Sequence, residues 1–218
     1  MGKFNLSKKT LKKSDALISI LHHDDKIDVK KLIKKLLSEK CKILLILDGL
    51  KKIKIKKNKN LNVIALSKRG ISKSRNYAIQ FAIKNKFKLL LFLDSDCLPN
   101  KNILDNHIKK HKEYIDFQVI GGSVNPSFLK KKVSLITKID GLMSWFGALD
   151  LNYDYNVKFP YHIPTLNMSI KLDFLKKNNI KFSENLKTGE DYQFCKDIKK
   201  MSGKIKRIKN TIVNHEDR

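Results

Sequence analysis

The sequence predicts an α/β fold: a mostly parallel central sheet flanked by helices. Three observations carry that expectation. Short apolar runs of strand length occur at residues 17–21, broken only by Ser19, and without a break at 43–47 and 89–93, and strands that do not alternate are buried on both faces. Segments with apolar residues at helical spacing lie between the strands. Acidic residues follow these runs, at the carboxyl ends where ligands of such sheets collect.

The first run empties into His22, His23, Asp24 and Asp25, which reads as a buried strand leading into a loop that holds both histidines. Residues 29–37 then set Val29, Leu32, Ile33, Leu36 and Leu37 on one helical stripe. The second strand, 43–47, stops at the turn dipeptide Asp48-Gly49. Residues 51–60 are almost all Lys and Asn, with Ile53 and Ile55 alternating, as in an exposed edge or loop. A third strand is expected at 62–66, a helix at 72–83 with Ala78, Phe81 and Ala82 inward, and a fourth strand at 89–93. That strand ends in Asp94-Ser95-Asp96, and Pro99 closes the turn. A further strand is expected near 118–120. The stretch 125–164 is irregular and holds the only tryptophan, Trp145, which marks a substrate-facing insert. Strand character resumes at 166–170, and a helix follows Gly189. No internal repeat occurs.

The chain's 218 residues fit a single domain, 1–218, with a basic extension at 1–15. A chain of this length buries roughly 70% of its unfolded surface, and 41% hydrophobic residues supply a core, which excludes intrinsic disorder. The 47 Lys+Arg against 21 Asp+Glu give a net charge of +26. Only Arg69, Arg75, Arg207 and Arg218 are arginines, and arginine is the residue of bidentate base and phosphate contacts. The lysines therefore read either as a solvated shell or as an attraction for polyanions, nucleic acid or an anionic membrane face. Cys41, Cys97 and Cys195 are odd in number and lack metal spacing, so neither a disulfide framework nor a zinc knuckle is expected, and the compartment should be reducing. The longest apolar runs fall far short of the roughly 20 residues that span a bilayer. The apolar stretch from Ala16 is too brief for a signal peptide, and Leu6 occupies the hydroxyl position that myristoylation at Gly2 needs. A cytoplasmic protein is expected, with peripheral association at the inner membrane face as the electrostatic extension of that reading.

Asp94-x-Asp96 is the sharpest chemical signal. Residues two apart share one side of a strand, so both carboxylates can serve one hard cation such as magnesium or manganese. The alternative is a pair of solvated acids at a strand end. Thr188-Gly189-Glu190-Asp191 reads either as a helix start, with Thr188 as cap and acids facing the dipole, or as a general base that accepts a proton from an attacking hydroxyl. Arg75 is either a surface residue or a guanidinium over a nucleotide phosphate. His215 is either an inert tail residue or a further metal ligand. Trp145 is either core or an apolar stacking platform.

Together these pieces resemble a family-2-type glycosyltransferase of the GT-A fold. Gly70-Ile71-Ser72-Lys73-Ser74-Arg75-Asn76-Tyr77-Ala78 is similar to that family's Gly-x-Ser-x-Ala-Arg-Asn segment, and Leu91-Phe92-Leu93-Asp94-Ser95-Asp96 to its metal-binding strand end. Asn167-Met168-Ser169-Ile170, Gly189-Glu190-Asp191 and a final His215 follow in the family's order, so the resemblance spans roughly 16–215. It implies a metal-dependent, inverting enzyme that moves a sugar from a nucleotide-sugar donor, a UDP-sugar by default, to a hydroxyl acceptor of a glycan or glycolipid. Asp96 would be the direct metal ligand, with Asp94 at ribose and metal and His215 as a further ligand of Mn2+ or Mg2+. Asp48 would contact the base and Arg75 the nucleotide. Asp191 would be the general base with Glu190 assisting, and Trp145 in the acceptor-side insert 125–164 would meet the acceptor. His22-His23-Asp24-Asp25 and Asp48-Gly49-Leu50 depart from the family's usual sequence around the base.

Two other classes compete. A basic protein that binds nucleic acid or a membrane surface without catalysis would need neither Asp96 nor Asp191. Haloacid-dehalogenase-type phosphatases also open with an apolar strand and Asp-x-Asp, the first Asp being a nucleophile. Their motif usually stands near the N-terminus and continues with Gly and Thr or Val, whereas here Cys97-Leu98 follows. No specific nucleic-acid partner is expected.

Overall fold

The computed structural model describes residues 11–50, 53–127, 134–136, 138–139, 149, 153–158 and 161–215. A short turn at Lys13–Asp15 leads into β1 (Ala16–His22), buried along its whole length. Next comes α1 (Val29–Ser38), where Asp28 caps the helix by accepting from the Lys30 N–H at 3.1 Å. β2 (Ile43–Asp48) is fully buried, and β3 (Leu61–Leu66) is the half-exposed edge that follows the lysine-rich segment. α2 (Ile71–Lys84) and β4 (Leu89–Asp94) complete the first half.

The second half contains β5 (Cys97–Pro99), α3 (Ile103–Glu113), β6 (Val119–Pro126), β7 (Tyr155–Asn156), β8 (Asn167–Lys171), α4 (Leu172–Asn178), α5 (Glu190–Lys200) and β9 (Ile205–His215). The strands form one sheet in the order β3-β2-β1-β4-β8-β6-β9-β5, with β7 on β9. The contiguous set β3-β2-β1-β4 is parallel throughout. Beyond it the sheet is mixed: β8 runs antiparallel to both β4 and β6, β9 is parallel to β6, and β5 is antiparallel to β9. Alternate residues of β1 feed two cores. Ile18 and Ile20 join α1 and α3 on one face, while Leu17 and Leu21 join α2, α4 and α5 on the other.

Of the elements that the sequence reading does not place, α3 and β9 are missed for the same physical reason. The buried stripe of α3 is Ile103, Leu104, His107, Ile108 and His111, so two of its inward positions are histidines. In β9 the inward set Ile205, Arg207, Ile208, Thr211 and Val213 includes a buried arginine. Polar residues at core positions hide both periodicities.

Those histidines belong to a buried relay. Asn167 Nδ2 donates to the carbonyls of Ser123 at 3.0 Å and Thr211 at 2.8 Å, which fixes its Oδ1 toward His107 Nε2 at 2.9 Å. His107 Nε2 must then carry the proton, and its bare Nδ1 accepts from Ser169 Oγ at 2.8 Å. Ser169 Oγ in turn accepts from His111 Nε2 at 2.9 Å. The relay joins α3 and β8 to β6 and β9. The chains pack so closely here that a Cβ on Gly122 would overlap Asn167 Nδ2 and the Thr211 carbonyl.

Both rings are neutral. Burial lowers the His107 pKa to about 4 and holds His111 well below the usual histidine range. A histidine in the unfolded chain titrates near 6.5. Between those values the unfolded chain binds a proton that the native ring refuses, so stability falls as pH drops. The contribution is complete above pH 6.5 and lost as the solution passes about pH 4. His107 alone is expected to remove about 3 kcal/mol across that window. Urea unfolding at a series of pH values checks this, and a flat stability between pH 7 and pH 4 would contradict it.

Candidate active site

The carboxyl ends of β1, β2 and β4 meet the amino ends of α2 and α5. At the end of β4, Asp94 turns toward α2, where its Oδ1 lies 3.4 Å from Arg75 Nη2. The Arg75 side chain is only 6% exposed, and its Nη1 donates to Glu190 Oε1 at 2.5 Å. The guanidinium also lies over the Phe182 ring, 5.7 Å from its centroid. One buried cation thus joins the end of β4 to the first residue of α5. Burial pushes the Asp94 carboxyl above its ordinary range, against the pull of Arg75, and the neighbouring Asp96 pushes the same way.

Asp96 turns to the other side. β5 pairs antiparallel with β9, setting Cys97 opposite His215, and β6 brings Pro126 to the other flank of His215. His215 Nε2 then lies 3.6 Å from Asp96 Oδ2. Ligand atoms of Asp96, Cys97 and His215 all fall within 4.8 Å of one another. A hard carboxylate oxygen with an imidazole nitrogen suits a divalent ion of the manganese or magnesium type. The buried Cys97 thiol is held well above its ordinary pKa, chiefly by burial, and so stays protonated and a poor ligand. Of the three ligands expected from sequence, Asp96 and His215 converge. Asp94 Oδ1 faces Arg75 Nη2 at 3.4 Å, and the Asp96–Cys97–His215 cluster does not include it.

α5 starts at Gly189, whose φ of 74° makes a left-handed entry, so the cap position belongs to this glycine and not to Thr188. Glu190 and Asp191 occupy the first turn. Asp191 Oδ1 accepts from the Tyr192 N–H at 2.8 Å and lies 3.6 Å from His162 Nε2. The His162 ring stands edge-on to Tyr192, with centroids 5.8 Å apart. His162 is a site residue the sequence reading missed, since it lies in an irregular stretch with no motif around it. Trp145 lies outside the described residues.

Asp48 was expected at a nucleobase. In the structure its Oδ1 accepts from Arg69 N–H at 2.7 Å and its Oδ2 from Gly70 N–H at 2.9 Å. Gly70 has a φ of 91°, which only glycine adopts freely. This clasp sets the start of α2, and with it the position of Arg75 one turn on. His22, expected in a loop, instead ends β1 and is 2% exposed. Its Nδ1 has no hydrogen-bond partner among the described residues, and burial lowers its pKa. It lines an open cleft of about 670 Å³ at the ends of β1 and β2, with Asp25, Asp28, Gly49 and Leu50.

Replacing Arg75 by methionine leaves two carboxylates facing each other without a buried counter-charge. The expected loss is about 3 kcal/mol of folding stability, read by urea unfolding. Adding Glu190→Gln to Arg75→Met should recover part of it, because one uncompensated charge is gone. Wild-type stability in Arg75→Met would show that the bridge carries little.

The family model described as glycosyl transferase family 2 matches residues 21–168, more than half of the chain, and the chain belongs to that family. This separates it from the haloacid-dehalogenase-type phosphatases. The match ends before Glu190, Asp191 and His215, so those residues rest on the geometry above. The chain is 32% identical over 148 residues to the minor teichoic acid biosynthesis protein GgaB of Bacillus subtilis (strain 168), covering 64% of this chain and 15% of GgaB. A crystal structure of S. aureus TarS 1–349 in complex with UDP-GlcNAc superimposes with a TM-score of 0.65 at 17% identity, over 93% of this chain and 58% of that one. A197 from STIV superimposes with a TM-score of 0.59 at 17% identity, over 93% of this chain and 86% of that chain. These likenesses establish the GT-A fold. The chain spans less than two thirds of GgaB and of the TarS piece.

Proposed function

We propose, from its membership of glycosyl transferase family 2, that this protein moves a sugar from a nucleotide-sugar donor to a hydroxyl of a glycan or lipid-linked glycan, with inversion at the anomeric carbon. The observation that carries the reading is the Arg75 bridge. It ties Asp94, next to the Asp96–His215 pair, to Glu190 at the helix start that bears Asp191. Groups suited to a diphosphate and a group suited to take a proton therefore share one edge of the sheet.

A UDP-sugar is the default donor, supported by the UDP-GlcNAc and UDP complexes described for TarS. The teichoic acid role described for GgaB supports a surface polymer or its lipid-linked precursor as acceptor. In this reading the nucleotide enters the cleft that His22 and Gly49 border, and the Arg75 guanidinium faces its phosphates. Asp96 and His215 would hold Mn2+ or Mg2+, which when bound offsets the charge of the departing diphosphate. Asp191 takes the proton of the acceptor hydroxyl as that oxygen attacks the anomeric carbon from the face opposite the nucleotide, hence the inversion. Glu190 keeps Arg75 oriented, and His162 borders the carboxylate that receives the proton. No helix among the described residues is long and apolar enough to cross a membrane, and the reading sets the work at the cytoplasmic face of a membrane that carries the acceptor.

Calorimetry is expected to show UDP binding that needs Mn2+ or Mg2+, weakened at least about tenfold in Asp96→Asn, which forfeits a metal ligand. Metal-independent binding would remove the assignment of Asp96 and His215. Asp191→Asn should keep the affinity for UDP yet lose about 100-fold or more in transfer from a panel of nucleotide sugars. Undiminished turnover in Asp191→Asn would sink the choice of base.

A further inference from the structure

We infer that the apolar turn formed by Leu135, Ile136 and Ile139, in the segment after β6, is an interfacial surface for an anionic lipid bilayer. It deepens the preceding reading by naming how a lipid-linked acceptor is met, although the surface itself can be tested without any catalysis.

Among the described residues this segment exposes the most apolar surface. Leu135 is 73% exposed, Ile136 81% and Ile139 53%. The Lys138 N–H donates to the Ser134 carbonyl at 3.1 Å, a helical turn that sets Leu135, Ile136 and Ile139 on one side. Large aliphatic side chains so exposed are normal singly, but a group of three neighbours on one face marks a contact surface. In the sequence the same spacing continues through Leu142, Met143 and Phe146.

The charge of the surrounding sequence selects the partner. In the sequence Lys130, Lys131 and Lys132 come before this turn and Lys138 falls within it, while Asp140 is the single acid between 127 and 149. An apolar turn within a lysine-rich stretch of sequence has the composition of a segment that lies in the headgroup region of an anionic membrane. A second copy of this chain would bring the same lysines, on a molecule of net charge +26, against themselves. Self-association through this face is therefore opposed by charge, whereas anionic lipid is attracted.

The attachment of the segment ties the surface to the site. Pro126 is paired with His215, and Leu149 returns to bridge Val124. The apolar face begins nine residues after Pro126, so at most about 30 Å of extended chain separates it from the Asp96–His215 pair. An acceptor hydroxyl held near a bilayer surface lies within that reach.

The test uses the full chain with vesicles of phosphatidylcholine alone or with about 30% phosphatidylglycerol. Co-sedimentation with the anionic vesicles only is expected. Trp145, the single tryptophan, lies in this segment and reports on it directly. Its emission should shift to the blue on the anionic vesicles and be quenched by bromine-labelled acyl chains. L135S/I136S/I139S should lower partitioning at least tenfold and abolish the fluorescence shift while circular dichroism and metal-dependent UDP binding stay as in wild type. Should that variant fold poorly, K130Q/K131Q/K132Q should weaken binding to the anionic vesicles severalfold and make it less steeply dependent on salt, and wild-type binding in this variant would overturn the proposal. Wild-type partitioning in L135S/I136S/I139S would reduce the effect to diffuse charge attraction and overturn the proposal. So would an unshifted tryptophan, or a wild-type dimer that the triple variant dissociates without change in vesicle binding. Loss of UDP binding with vesicle binding intact would instead count against the preceding reading alone.

Discussion

A guanidinium buried to 6% exposure has to be compensated where it lies, and the arrangement around Arg75 meets that demand with two carboxylates from opposite sides. Taking such a charge out of water costs several kcal/mol unless ion pairs and hydrogen bonds replace its hydration. The requirement pulls the end of β4 and the start of α5 toward one point on α2. The next residue repeats the device without charge. Asn76 Nδ2 donates to the Phe182 carbonyl and to Glu184 Oε1, each at 2.9 Å, and its Oδ1 accepts from the Phe182 N–H at 2.8 Å. Arg75 and Asn76 therefore anchor both the chain that approaches α5 and the first residue of α5 itself. The Asp48 clasp on Arg69 and Gly70 sets where α2 begins, so the position of this pair depends on the end of β2.

The second half of the site depends on a different constraint. His215 stands at the last position of β9, and that strand is registered by β6 on one side and β5 on the other. What keeps β6 and β9 in register with β8 is the neutral relay through Asn167, His107, Ser169 and His111, with the close approach at Gly122. Asn167 and Ser169 lie in a segment that follows the aspartates in the family's order of motifs. Their work in this chain is to satisfy buried polar groups at the join between the parallel and mixed parts of the sheet. A motif residue need not touch a substrate to be indispensable to the geometry that does.

The parallel half of the sheet was legible because its strands are apolar on both faces and its helices carry clean stripes. α3 and β9 were not, because His107, His111 and Arg207 occupy core positions that a reading by hydrophobicity assigns to solvent. Within the site, the pairing of Asp96 with His215 follows the family's order of motifs, 119 positions apart, and no spacing rule alone would have joined them. Asp94 shows the converse. The two-residue spacing would set both carboxylates on one side of a strand, but β4 ends at Asp94 and Asp96 lies in the turn before β5, so the two part and Arg75 takes Asp94. His162 beside Asp191 could not be read at all, since its approach depends on how the chain returns from the insert to β8.

The distribution of charge gives the basic composition a meaning that the net value of +26 does not. Asp94, Asp96, Glu190 and Asp191 cluster at one edge of the sheet, while the lysines cover the remainder. An acidic site within a basic envelope would repel a diphosphate if it acted alone. Arg75 changes that: its charge is already shared by Asp94 and Glu190, so an incoming phosphate must compete for a guanidinium held by carboxylates. Such competition keeps the cation from capturing stray anions tightly. The surrounding lysines, hydrated and flexible, supply long-range attraction without fixed geometry. In the proposed reading, weak capture by a shared arginine and broad attraction by surface lysines divide the labour between affinity and arrival, a division suited to a polyanionic polymer or an anionic bilayer.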